Sequence, residues 1–409
     1  MIAMFGFMQP SIRVGLVDNG AFGLRLEGDY DIDCSESQIC YTPCDDSCYA
    51  EVSGIKIGRD FHWQRDMVLR FKGRMMLQKR DDGSSSLINI LPVEEYLRSV
   101  ISSEMNPNAH PEFLKAHAII SRSWLLRMIS TPRCRSSVDS ESCGHVEIKE
   151  KSDNETLIRH ISWTDVEAHK HYDVCCDDHC QRYQGITHIN QEASDAVAQT
   201  HGLVMVDEDG QVADARFYKC CGGTTERFSS AWQDKDFHYL RPVVDPYCDP
   251  SQMTEQERQK ILTTILKDYD AETTDFFTWI AKVSASQVAE RLKSKFNLSV
   301  GGVVDIKPLK IGDSGRIVEL IVEGADSSVV IGKELAIRKL LSDSHLYSSA
   351  FTIDRQLVEN EIVFTLKGKG WGHGVGLCQI GAAIMAERGY SCEQILRHYY
   401  PGIKLEKRY

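Results

Sequence analysis

The chain has 409 residues, 42% of them hydrophobic and 26% charged, with no low-complexity stretch, as expected of a globular protein of two or three domains. A formal net charge of −12 excludes the phosphate backbone of nucleic acid as a default partner and leaves recognition of any other anionic polymer to a local cleft. No apolar run approaches the ~20 residues that span a bilayer. The apolar start, Met1 to Met8, is too short and too poor in basic residues to be a complete signal peptide, so no leader is visible.

Residues 10 to 92 alternate strand-like runs (Ile12 to Leu16, Met67 to Phe71, Ser86 to Leu91) with the turn signals Asp18-Asn19-Gly20 and Asp81-Asp82-Gly83. Pro92 opens one helix and Pro111 a second. Residues 133 to 190 are polar and rich in His and Cys, which predicts loops held by something other than a core. Strands return at 202 to 219. Helical spacing follows over 253 to 297 (Ile261, Ile265 and Tyr269; Val288 and Leu292), and 302 to 365 is β-rich. A glycine-rich segment and one last helix close the chain. Short strands mixed with separate helical blocks predict an α+β fold of mixed, mostly antiparallel sheets with packed helices. Residues 10–252 and 346–409 are expected to form the core unit, with 253–345 an inserted, more peripheral segment.

The first helix carries Glu94 and Glu95 at the positive end of its dipole, then an apolar stripe of Leu97, Val100 and Ile101. Glu104 falls on the next step of that stripe. Desolvation favours the neutral form of such a carboxylate, which makes Glu104 a candidate general acid. In the second helix Leu114, Ala118, Leu125 and Ile129 form the apolar face, and Arg122 sits on it. A buried guanidinium needs an anion. An Arg touching Glu104 would favour the charged carboxylate and spoil the acid, so Arg122 is assigned to substrate binding. The other reading is a structural Glu–Arg pair that locks the two helices together.

Fourteen cysteines fall in clusters. His169, His171, His179, Cys175, Cys176 and Cys180 lie within twelve positions. Thiolate plus imidazole is the donor mixture of tetrahedral zinc, and a disulfide with exposed histidines is the competing reading. Cys34, Cys40, Cys44 and Cys48 fit no standard zinc spacing, and no metal is assigned to them. The run Gly368 to Gly376 has neither a Gly-x-Gly-x-x-Gly window nor a following Gly-Lys-Ser/Thr, so it is no nucleotide loop. Glycines at period two would instead bare one strand face to a polysaccharide or another backbone, with His373 and Gln379 projecting nearby. Tyr218, Trp232 and Trp371 are further cleft candidates, with the core as the alternative place for both tryptophans.

Three sets of motifs look familiar: Leu91-Pro-Val-Glu-Glu-Tyr-Leu with Ser103-Glu104-Met105 and Leu114-Lys-Ala-His-Ala-Ile-Ile-Ser-Arg122-Ser; Cys221-Gly-Gly-Thr-Thr-Glu226 with Trp232 and Tyr239-Leu240; and Gly370-Trp-Gly-His373-Gly-Val-Gly-Leu-Cys-Gln379-Ile-Gly-Ala. Together they resemble the SpoIID/LytB family of stage II sporulation protein D and amidase-enhancer proteins, from about Ile12 to the C-terminus. The resemblance implies peptidoglycan lytic transglycosylase activity with Glu104 as the catalytic residue. It further implies a zinc site whose pattern maps onto His169, Cys175, His179 and Cys180, with His171 and Cys176 spare. Four ligands fill a tetrahedral shell, so this zinc is expected to be structural. Arg122, His373, Gln379 and Tyr218 are the expected substrate contacts. The expected partners are glycan strands and a cell-wall amidase, and the expected location is the cell envelope, periplasm or cell surface. Two rival functions are a non-catalytic glycan-binding amidase enhancer, and a zinc hydrolase of the stem peptide with an open metal position.

Overall fold

The computed structural model describes residues 9–58, 64–80, 82–130, 145–152, 155–163, 169, 171–266 and 275–409. Met1–Met8, Asp81 and Tyr269, which entered the sequence reading, lie outside them. The fold is α+β with mostly antiparallel sheets.

A six-stranded sheet runs in the order Val174–Cys175, Ser11–Asp18, Ser85–Pro92, Arg74–Lys79, Gln38–Pro43, Tyr30–Cys34. All its pairs are antiparallel except the short strand Val174–Cys175, which runs parallel to Val14 and Gly15. Beside it lies a three-stranded sheet of Gly23–Glu27, Tyr49–Ile57 and Arg65–Phe71. Ile12, Val14 and Leu16 point to the buried face, the period-two alternation that pins a strand's register.

Helix α1 (Val93–Glu104) follows directly from strand Ser85–Pro92. Pro92 is extended and cannot donate a backbone N–H, so it ends the strand and opens the helix at no cost in helical hydrogen bonds. Ten of the twelve residues of α1 are buried, so it runs through the core rather than over it. Its serines explain how this is possible. Ser99 Oγ accepts the Gln184 N–H, and Ser102 Oγ accepts that of Asn190. Tyr96 donates to the Gln181 amide oxygen. One face of α1 thus binds the segment 181–190 by hydrogen bonds as well as by the stacking of Tyr96 on Tyr183. Helix α2 (Pro111–Ser130) buries Phe113 to Leu125 apart from Lys115, and helix α3 (Gln191–Gln199), capped by the Asn190 side chain, packs on both.

Two main apolar clusters organise the chain. The first joins the N-terminal sheets, α1 to α3, Met253, Ile261, Ile265, Phe276 and the two C-terminal helices Gln379–Glu387 and Cys392–Tyr399. The second runs from Trp279 to Leu366. It packs helices Ala285–Phe296 and Glu334–Leu340 against strands of a three-stranded and a five-stranded sheet.

Three expectations need correction. The region read as loops contains a hairpin, His145–Ser152 with Glu155–Ser162, whose second strand pairs in parallel with Ser328–Gly332 and so joins the five-stranded sheet. The region read as helical contains strand Trp279–Ser284. Two helices rather than one close the chain, because Gly389, at φ +88°, breaks the apolar run between them. Among the described residues no helix is long and apolar enough to cross a membrane.

Candidate active site

A cleft of about 250 Å³ opens between the C-terminal end of α1, the segment 178–182, strand Phe217–Tyr218 and the glycine-rich segment. Glu104, the last residue of α1, lies in its wall and is 8% exposed. Its Oε1 accepts the backbone N–H of Arg182 at 2.8 Å. The Arg182 guanidinium turns instead to Asp178, 2.9 Å away. Asp178 lines the same cleft, and burial pushes its carboxyl up to about 6 despite the opposing Arg182 charge. Lys219 reaches the carbonyl of Glu104 at 3.4 Å.

Arg122 is not in this cleft. It is fully buried, and its Nε and Nη2 donate to the two oxygens of Glu94, each at 2.7 Å. A bidentate guanidinium–carboxylate pair of this kind leaves no donor fork for a substrate. The assignment of Arg122 to substrate binding is therefore corrected: it forms the structural helix–helix pair, with Glu94 and not Glu104 as partner.

The glycine-rich segment is also different from its expectation. It is not a strand with a bare face: Gly370, Gly372, Gly374 and Gly376 all have positive φ, between 77° and 100°. Added Cβ atoms at Gly374 and Gly376 would fall 2.6 Å from the Arg316 guanidinium and 2.0 Å from the Arg216 carbonyl oxygen. Protein, not polysaccharide, makes the close approach. The segment carries His373 into the cleft wall, where the ring meets Trp232 edge-on with centroids 4.7 Å apart and Tyr218 at 5.2 Å. His373 Nδ1 accepts the Val375 N–H, so Nε2 carries the proton and donates to Phe217 O, both at 3.0 Å. Burial, with Arg216 and Arg316 nearby, holds the imidazole well below its ordinary value and neutral. Its two nitrogens are thus engaged, and it offers the cleft a ring.

Gln379 opens the helix Gln379–Glu387, and its amide nitrogen lies 2.9 Å from His117 Nε2. His117 is pushed down to about 3 by burial and by Lys219, so a neutral ring accepts from Gln379. Tyr218 lines the cleft with a buried hydroxyl that has no hydrogen-bond partner among the described residues. Trp232 and Trp371 both border the cleft.

Beside Glu104, the ligand atoms of His169, Cys175, His179 and Cys180 all lie within 4.8 Å of one another. His169 Nε2 is 3.3 Å and His179 Nδ1 3.6 Å from Cys180 Sγ. Hydrogen bonding from Cys180 and the two histidines holds the Cys175 thiol well below its ordinary value, toward the thiolate that binds metals. Cys176 is excluded from this group because it points the other way, into the core, toward Leu16 O. The four residues can hold a metal ion, and His179 and Cys180 also line the cleft. Cys34, Cys40, Cys44 and Cys48 sit on or near the hairpin Tyr30–Cys34/Gln38–Pro43 and form no such group among the described residues.

Residues 81–206, which hold Glu104 and the Cys/His cluster, match the family of stage II sporulation proteins. The chain is 27% identical over 79% of its length to stage II sporulation protein D of Bacillus amyloliquefaciens, covering 77% of that protein. It is 23% identical over 78% of its length to the protein of the same name from Bacillus subtilis, covering 75% of it. These matches support assignment of the chain to the SpoIID/LytB family, with residues 81–206 as the matched domain. The amidase enhancer of Bacillus subtilis, a further relative, is 24% identical over 53% of this chain but is matched over only 33% of its own length. Residues 226–376 match a second family, described only as a domain of unknown function.

Sequence reasoning missed the parts of this cleft that act through backbone or neighbours. Arg182 offers its amide, which no side-chain pattern signals. Lys219 directly follows Tyr218 and could have been named with it. Asp178 lay inside the Cys/His cluster but was overshadowed by the metal ligands around it.

Proposed function

We propose that this protein is a peptidoglycan lytic transglycosylase that cleaves the MurNAc–GlcNAc bond of glycan strands, those stripped of stem peptides for preference. The observation that carries this reading is a buried carboxylate in a cleft wall, held among the described residues by one backbone donor and by no cation. Glu104 protonates the glycosidic oxygen as the bond to MurNAc C1 breaks, and GlcNAc leaves with a free 4-hydroxyl. The muramyl 6-hydroxyl then attacks C1, and the Glu104 carboxylate takes its proton. The product is a 1,6-anhydro ring, no water is consumed, and the enzyme ends in its starting protonation state. An ordinary glycosidase needs a second carboxylate to activate water or attack C1. Here the other carboxylate of the cleft, Asp178, is bound to Arg182.

Tyr218, Gln379 and the His373 ring form the opposing wall for substrate. The Cys/His donor set suits zinc, held by His169, Cys175, His179 and Cys180. A metal with that shell filled acts as a structural clamp. Its effect reaches Glu104 through chain geometry, since Arg182 lies two residues after Cys180. The glycan substrate places the protein in the cell envelope or at the cell surface, where a wall amidase that strips stem peptides would be its natural partner.

The test is a digest of amidase-treated peptidoglycan with wild-type protein and Glu104→Gln, analysed by mass spectrometry. Anhydro-muramyl products that vanish in the variant are expected. Reducing-end products would mean that water attacks and would turn attention to Asp178. Intact glycan from both proteins, still bound to the wall, would leave a binding module of the amidase-enhancer kind.

A further inference from the structure

A second group of metal-ligand side chains lies in the first apolar cluster. Cys221, Asp245, Cys248 and Cys378 come from three distant stretches of chain, yet their ligand atoms all lie within 4.8 Å of one another. All four are at most 1% exposed. We propose that these four side chains bind a second metal ion, a zinc, through three thiolates and one carboxylate.

Buried cysteines alone would not carry this, since a free cysteine is an ordinary small apolar residue. Three further observations do. The first is the spacing. Zn–S bonds of ~2.3 Å put tetrahedral sulfurs ~3.8 Å apart, so atoms mutually within 4.8 Å enclose room for one ion and not for a multi-iron cluster.

The second is the surroundings of the sulfurs. Gly223 N–H points at Cys221 Sγ at 3.2 Å, and Cys378 Sγ receives the N–H groups of Cys221 at 3.3 Å and Gly381 at 3.4 Å. Cys378 is also the N-cap of helix Gln379–Glu387. Backbone donors and a helix N-terminus favour the thiolate form that a metal binds, with the Lys219 carbonyl, 3.7 Å from Cys378 Sγ, as the opposing contact.

The third is Asp245. Its carboxylate is fully buried, and no Lys or Arg pairs with it among the described residues. Its Oδ1 accepts the backbone N–H groups of Tyr247 and Cys248, which fixes the side chain, while Oδ2 faces Cys221 Sγ at 3.2 Å and the Tyr399 hydroxyl at 2.8 Å. A carboxyl buried in this way is met either by a proton or by a cation, and a carboxylate ligand steadied by a tyrosine hydroxyl is the outer-sphere arrangement typical of metal sites. Cys220 stands by as a spare, its Sγ 3.4 Å from that of Cys248.

The consequence is architectural. Cys221 lies just after strand Phe217–Tyr218, and Cys378 ends its parallel partner Leu377–Cys378, directly before Gln379. A metal here ties together the strand pair that presents Tyr218 and Gln379 to the cleft, as the first cluster braces the segment that holds Glu104. The proposal does not depend on what the cleft does.

Metal content of the purified full chain decides it. Elemental analysis should give two zinc equivalents for the wild type, and one for His169→Asn/Cys175→Ser, which disables the first cluster. Cobalt loading of that variant should give sulfur-to-cobalt charge-transfer bands of a tetrahedral, thiolate-rich site. Cys248→Ser/Cys378→Ser should lose one equivalent. Should that variant fail to fold, the wild-type stoichiometry and the cobalt spectrum still decide. One equivalent in the wild type and none in His169→Asn/Cys175→Ser would overturn the second site and spare the first. One in both would spare the second and remove the first. A disulfide among Cys220, Cys221, Cys248 and Cys378 in non-reduced peptide maps would also overturn it.

Discussion

Glu94 and Glu104 stand at opposite ends of the same helix, and both are almost fully buried. Their surroundings could hardly differ more. Glu94 is saturated: Arg122 grips both oxygens, and the Tyr409 hydroxyl and Gly202 N–H add to the hold. Burial pushes its carboxyl up, but Arg122 and Tyr409 outweigh that and keep it below the usual range, locked as an anion. Glu104 has one backbone donor and a cleft. A buried carboxylate that is fully paired fixes helices in place. One that is barely paired keeps an oxygen free to exchange a proton. Burial alone therefore does not make Glu104 the proposed acid; its small number of partners is what supports that role.

The largest effect should come from Glu104→Gln, which leaves size and burial unchanged but removes the proton. Loss of a general acid costs about 10²- to 10⁴-fold in rate. The melting temperature should stay close to that of the wild type. A variant that keeps its rate would put the chemistry elsewhere in the cleft.

Arg122→Met sharpens the comparison from the other end. It strands Glu94 as an unpaired buried charge, which costs about 3–5 kcal/mol of stability. Urea unfolding should show that loss, while the folded fraction keeps its turnover at low temperature. A reversed pattern, stable but inactive, would return Arg122 to the substrate.

The sequence made one half of this comparison visible. Pro92 and the Leu97–Val100–Ile101 stripe place Glu104 on a buried helix face by local periodicity, and only the family resemblance of the Ser-Glu-Met motif singles it out. The partner of Arg122 was hidden because Glu94 lies in the first helical turn, where an acidic residue is already explained by the helix dipole. The Cys/His cluster was legible as a set, but spacing could not choose between Cys175 and Cys176. That choice is made by the strand Val174–Cys175, whose parallel pairing with Val14 and Gly15 turns the two sulfurs to opposite sides. The Cys221, Asp245, Cys248 and Cys378 group was not legible at all, since 157 positions separate its first and last members.

A smaller effect concerns pH. His117 is pushed down to about 3 in the fold, against an ordinary value near 6.5. As pH falls, the unfolded chain takes up a proton near 6.5, whereas the folded one does not until about 3. Stability from this residue is therefore fully present above pH ~6.5 and declines by about 1.4 kcal/mol per pH unit below it, or about 2 kcal/mol by pH 5. His373, also held neutral by burial, acts in the same direction. His117→Gln keeps a partner for Gln379 and cannot titrate, so its unfolding free energy should fall less steeply between pH 6.5 and 5. Parallel slopes for variant and wild type would mean that the folded chain admits the proton.

The smallest effect separates function from packing most cleanly. The Tyr218 hydroxyl is buried, lines the cleft and has no hydrogen-bond partner among the described residues. An unmet buried hydroxyl costs roughly 1–3 kcal/mol, so Tyr218→Phe should leave stability unchanged or raise it. If the hydroxyl waits for a sugar, the same change should raise KM several-fold, about 1 kcal/mol of lost binding, with little change in kcat. The two expectations have opposite signs, one a gain and one a loss. A structural tyrosine would instead give a lower melting temperature and an unchanged KM, and the cleft would then recognise its substrate through Gln379 and the His373 ring without this hydroxyl.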